Sequence, residues 1–168
     1  MSGCAEPPEK AESNNPYFIP VNPDKIKNIL ILTIKNKTDE ELADELYFET
    51  LIEKLKNSHY NIVDTKETAD IILDITITRF YSSPRDNYDP ISTINPVTAL
   101  GDALIAKPVG EVVCDYRVIT SFGKEIWAGS IAKEEEIMPG TGNEYSALKK
   151  SVEATVEEFI RRLQNKKK

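Results

Sequence analysis

The sequence predicts an α+β fold: a mostly antiparallel sheet of four to five strands with two helices packed on one face, ordered β-α-β-β-β-β-α. Strand-length runs rich in β-branched residues recur along the chain, one of them in clean polar–apolar alternation. Two stretches, one early and one at the C-terminal end, carry apolar residues at helical spacing. The last two strand runs are separated by a glycine-containing turn.

Residues 1–25 hold Pro7, Pro8, Pro16, Pro20 and Pro23 among Glu, Asn and Ser, and are expected to form an extended tether. Tyr17, Phe18 and Ile19 are its one apolar spot, suited to docking on the domain. Residues 26–168 then form a single domain. Asn28–Ile34 (NILILTI) is apolar on both faces and reads as a central strand. Thr38 followed three residues later by Glu41 fits a capping box, with Asp39 and Glu40 at the positive end of the helix. That helix is expected to reach about Asn57, with Leu42, Leu46, Leu51 and Leu55 buried. Phe48 and Ile52 widen its apolar arc and leave part of it for a partner.

Tyr60–Asp64 is a short strand. Ala69–Phe80 alternates, sending Ile71, Leu73, Ile75 and Ile77 to the core and Asp74, Thr76 and Thr78 to water. GEVVCDYRVIT and KEIWAGSIAKEEE pair as a hairpin that turns at Ser121-Phe122-Gly123, where glycine takes the positive φ such a turn demands. A long connection, residues 82–108, carries Pro84, Pro90, Pro96 and Pro108, and loops of this length are usually functional or disordered. Its VTALGDALIA segment suits a short apolar helix. In the closing helix Leu148, Val152, Val156, Phe159, Ile160 and Leu163 share one face.

A net charge of −7 opposes nucleic-acid binding, which needs a basic face. No apolar run is long enough to span a bilayer as a helix. Two cysteines give neither a disulfide framework nor a zinc site, so no metal or other cofactor is expected. His59, the one histidine, follows the first helix with no acid–base partner at a recognisable spacing and reads as a helix-end residue. Cys114 shares a strand face with Val112, Tyr116 and Val118 and reads as a small buried hydrophobe. PGTGNE lacks the Lys-Ser/Thr of a phosphate loop and is a helix-entry turn. RRLQNKKK matches what a helix C-terminus favours, with membrane docking as its other reading. No catalytic constellation emerges, and the chain is not expected to be an enzyme.

Ser2-Gly3-Cys4 resembles the end of a bacterial lipoprotein signal, with Met1 where the usual leucine stands. The resemblance implies that Cys4 is the lipid (palmitate) attachment site, and Ala5 resembles the rule for sorting to the outer membrane. IKNILILTIKNKT, ADIILDITITRFYSSP and DYRVITSFGKEIWAGS resemble the strand-and-hairpin motifs of the LptE family of lipopolysaccharide-assembly lipoproteins. They also resemble related CsgG-like, PelC-like and GNA1162-like envelope lipoproteins. The LptE resemblance implies a lipid-anchored subunit on the periplasmic side of the outer membrane, with a β-barrel partner resembling LptD and lipopolysaccharide as a ligand. Arg79, Arg85, Lys107 and Arg117 are then the candidate phosphate contacts. The alternative is a ring-forming or scaffold lipoprotein of a secretion or export channel.

Overall fold

The computed structural model describes residues 18–85, 107–138 and 143–166, with the side chains of 83–85 and 107 excepted. Its elements are β1 (Asn28–Ile31), β2 (Lys35–Asn36), α1 (Ala43–Asn57), β3 (Asn61–Ile62), β4 (Ile71–Arg85), β5 (Lys107–Thr120), β6 (Glu125–Glu136) and α2 (Glu144–Leu163). The sheet runs β3-β1-β4-β5-β6, with β2 also on β4. Among the described residues no helix is long and apolar enough to cross a membrane.

The α+β class stands, with one correction: the sheet is mixed. β1 pairs parallel with both β3 and β4, while β4-β5-β6 are antiparallel. The parallel half follows from α1, which carries the chain back so that β3 re-enters alongside β1. NILILTI is interior as expected but is not one strand. Ile31 pairs with Leu73 and Lys35 with Thr76, so one more residue lies between them than between their partners, and the ladder breaks and resumes as β2.

Alternation places Ile71, Leu73, Ile75 and Ile77 on the helix-covered face, each at most 2% exposed. At Thr78 the register slips against β5: Ile77 pairs with Cys114, but Arg79 pairs with Val113. This bulge inverts the parity, so Phe80 turns into the core and Arg79 to the outer face. Strand pairing continues to Arg85 opposite Lys107, so the connection expected from 82 to 108 has strand at both ends. VTALGDALIA lies outside the described residues.

The expected capping box does not form. Asn36 accepts from the Thr38 N–H and hydroxyl at 2.9 and 2.7 Å, and its amide donates to the Glu40 carbonyl. The Thr38 N–H thus closes an Asx turn, and α1 begins a turn later at Ala43. Leu42 consequently lies outside the core, 69% exposed, and Leu46 is only half-buried. Tyr47, Leu51 and Leu55 form the buried face. At the other end the Tyr60 N–H reaches the Leu55 carbonyl and the His59 N–H that of Lys56, with His59 left-handed at φ 67°. This is a Schellman ending. His59 is a helix-end residue, as expected.

Two contacts fasten α2. Over β5, a Cβ on Gly110 would lie 2.5 Å from the backbone of Leu148, and the Ser151 hydroxyl donates to the Gly110 carbonyl. Near its C-terminus, Glu158 accepts from Arg161 (2.6 Å) and Arg162 (2.9 Å), with Lys133 at 3.9 Å. Those arginines also receive the N-terminal arm. Arg161 lies 6.0 Å over the Phe18 ring, and the Ile19 N–H donates to the Arg162 carbonyl. Ile19 is fully buried, in keeping with the docking expected of the Tyr17–Ile19 spot, so the folded unit includes residues before 26.

Gly110→Ala should destabilise by at least about 2 kcal/mol, because a methyl meets immovable backbone. The check is the urea midpoint. The arginines beside Glu158 hold its carboxyl down from an ordinary 4.5 to about 2. Its stabilisation, about 1–3 kcal/mol, is therefore complete above pH 4.5 and lost as pH falls toward 2. Glu158→Gln should be less stable than wild type at pH 7 and converge with it near pH 2, measured by denaturant titration across that range.

Candidate functional site

Turning Tyr47, Leu51 and Leu55 inward leaves the first turns of α1 as a ridge with apolar residues on its outside. Leu42 is 69% and Phe48 41% exposed. On one flank of the ridge lies a hollow of about 230 Å³, floored by Ala43, Leu46, Phe80 and Leu148 and edged by Leu42 and Tyr145. Phe80 reaches this floor because of the Thr78 bulge. Glu40, Glu45 and Glu49 stand on its rim. On the other flank Ile31, Leu32, Ile34 and Phe48 line a shallower hollow of about 350 Å³, with Asp44 and Glu45 beside it. Neither hollow is lined by a described histidine, cysteine, lysine or arginine. The arrangement suits binding of an apolar segment that carries positive charge.

Beneath the ridge is a buried polar group. The hydroxyls of Tyr47 and Tyr116 hydrogen-bond to each other, and Tyr47 also bonds the Cys114 thiol. Phe159 stacks on Tyr116 at 4.6 Å, the planes 1° apart, and Trp127 lies 6.5 Å away. Burial pushes the Cys114 thiol up to about 12 and both phenols well above their ordinary range. All three are protonated at neutral pH. They pack and specify rather than react, as expected for Cys114.

The sequence-predicted phosphate contacts are spread out. Arg79 and Arg117 both lie on the outer sheet face, but their β5 positions are about 13 Å apart along the strand. Arg79 meets Glu111 at 2.8 Å; Arg117 meets Glu125 at 2.9 Å and Asp74 at 3.6 Å. Lys35 reaches the same Asp74 at 3.1 Å, so a ladder of alternating charge crosses β2, β4, β5 and β6. Cys4 and the side chains of Arg85 and Lys107 lie outside the described residues. Sequence reasoning missed the Glu158 clamp and Tyr47. Ala43, Tyr47, Leu51 and Leu55 repeat every four residues, and that spacing would have found the tyrosine.

In a Cys4→Ala chain at pH 8, Cys114 should react with a thiol reagent at least about a thousandfold more slowly folded than unfolded, from its depleted thiolate alone. Stopped-flow labelling with and without urea measures this, and comparable rates would refute the core position.

No protein-family model matches the chain, and no curated protein matches it in sequence. Solved structures do. The chain is similar to a PelC dodecamer from Paraburkholderia phytofirmans, at 14% identity over 89% of this chain and 95% of that one, with a TM-score of 0.53. It is similar to the hypothetical protein CT253 from Chlamydia trachomatis, at 9% identity over 83% of this chain and 96% of that one, with a TM-score of 0.54. A looser likeness, to the lipoprotein GNA1162 from Neisseria meningitidis, has a TM-score of 0.47 at 18% identity over 80% of this chain and 99% of that one. The first two similarities establish a shared fold and nothing finer.

Proposed function

We propose that this chain is a lipid-anchored, non-enzymatic interaction subunit of the bacterial envelope, attached through Cys4 on the periplasmic side of the outer membrane. The observation that carries the reading is the α1 ridge: exposed Leu42 and Phe48 between two apolar hollows rimmed with carboxylates. Contiguous apolar surface with a charged rim is the ordinary form of a protein-binding site. The strongly shifted side chains support the non-enzymatic part. They sit in the core or in the Glu158 clamp rather than in either hollow.

The finer reading is lipopolysaccharide assembly with an outer-membrane β-barrel partner resembling LptD. It rests on the sequence motifs shared with LptE proteins. On that reading Arg79 and Arg117 must exchange carboxylates for phosphates, which their partial exposure permits. A ring or scaffold around an export channel is favoured by a separate observation, the dodecamer of PelC, whose fold this chain shares.

A photocrosslinking residue at Leu42 or Phe48, in the native host, should trap a defined partner, while one at Ser130 on the outer sheet face should not. Adducts with a barrel protein favour the assembly machine, and adducts with a second copy favour the ring. The Cys4→Ala chain should lose palmitate labelling and membrane fractionation. Equal trapping from Ser130 would refute the ridge, and retained labelling would refute the anchor.

A further inference from the structure

The two helices run in the same direction. Leu46 and Leu148 share a hollow near their N-termini, and Lys54 meets Glu157 at 2.6 Å near their C-termini. The end of the molecule at the helix C-termini gathers three independent features. The N-terminal arm arrives there, with Ile19 on Arg162 and the Asn165 amide on the Val21 carbonyl. The β5–β6 turn lies at the same end, since Thr120 pairs with Ile71 at the start of β4. Phe122, at the tip of that turn, is 95% exposed, the most exposed of the large hydrophobic residues described. Exposed lysines surround this end: Lys124 in the turn, Lys25 and Lys27 where the arm enters β1, Lys56 at the end of α1 and Lys166 after α2.

Several carboxylates at this end are already engaged. Asp70 accepts the Lys27 and Asn28 N–H groups, Glu125 holds Arg117, Glu157 holds Lys54 and Glu158 holds the arginines. None of the described ion pairs involves Lys124, Lys56 or Lys166; Asp24, Glu67 and, around Lys54, Glu53 and Glu153 remain as local negative charge. A chain of net charge −7 therefore shows a lysine-rich end with an aromatic tip, where its N-terminal arm begins. One exposed phenylalanine is unremarkable by itself. An aromatic beside lysines, at the root of an anchor, is the composition that settles at an anionic lipid interface.

We infer that this end is a membrane-docking face, with Phe122 entering the headgroup region and the surrounding lysines meeting anionic lipid. The inference rests on the anchored reading above and adds an orientation to it. From Cys4 to Phe18 the chain spans at most about 50 Å fully extended. An anchor of that length holds the face near the bilayer at high effective concentration, so weak contacts suffice.

The test uses the full chain without lipid, so that failure of lipidation cannot enter it. Co-sedimentation with vesicles of phosphatidylethanolamine and phosphatidylglycerol is compared with vesicles of phosphatidylcholine. Binding should appear on the anionic vesicles, weaken with salt, and fall roughly fivefold in Phe122→Ser and again in Lys124→Glu. Met138→Ser, which removes a side chain 74% exposed at the opposite end, should bind as wild type does. Retained Cys114 protection certifies that each variant is folded. No binding by wild type, binding indifferent to Phe122, or dissociation of an oligomer by Phe122→Ser would overturn the inference. Loss of palmitate labelling in cells tests the anchor separately.

Discussion

Tyr116 joins the two layers of this protein. From the middle of β5 its hydroxyl meets that of Tyr47 on α1, and its ring lies flat on Phe159 of α2. Both phenols are buried and partner each other, and an unpaired hydroxyl there would cost about 1–3 kcal/mol. The pair therefore fixes the rotation of α1. Turning the helix by one residue, about 100°, would separate the hydroxyls and withdraw Leu51 and Leu55 from the core. With rotation fixed, Leu42 and Phe48 have nowhere to go but outward. The exposed ridge follows from the buried pair.

How far the residues announced this depends on whether the signal was local. Ile71 to Ile77 alternate so cleanly that strand, face and core could be read directly, and the stripe from Leu148 to Leu163 did the same for α2. Parallel pairing of β1 could not be read, because an apolar strand looks alike in either direction. The Thr78 bulge left only an indirect trace, since unbroken alternation would send Arg79 inward and Phe80 to water. Only the β5 register shows that Phe80, not Arg79, turns inward. The capping box failed because Asn36 holds Thr38 in a turn ahead of the helix, whose first turn begins only at Ala43. Of the site, the wide arc of α1 was visible through Phe48, whereas its acidic rim needed the fold to bring Glu40 beside Glu49.

Topology also explains where the charge sits. α1 descends from β2 to β3, and α2 descends from β6 beside it, so both N-termini lie at one end and both C-termini at the other. Two aligned helix dipoles repel unless their ends are compensated. Asp44, Glu45 and Glu144 stand in the first turns, and Lys54, Lys56, Arg161 and Arg162 in the last. Glu45 of the rim and Lys56 of the lysine-rich end thus serve helix packing first. The proposed binding faces would draw in part on this compensating charge.

That division has a spatial consequence. Phe80, on the floor of the smaller and deeper hollow, is nine residues along β4 from Ile71, roughly 30 Å at strand rise. The arm and the Phe122 turn lie at the Ile71 end. On the proposed orientation the ridge, Leu42 to Phe48, stands about 14 to 23 Å beyond the C-terminal end of α1 on the side away from the bilayer. A partner can then occupy the hollows without displacing the membrane contacts. On this reading anionic lipid would avoid the carboxylate rim and meet the opposite end. One arrangement of dipoles would so separate the two binding tasks by charge as well as by distance.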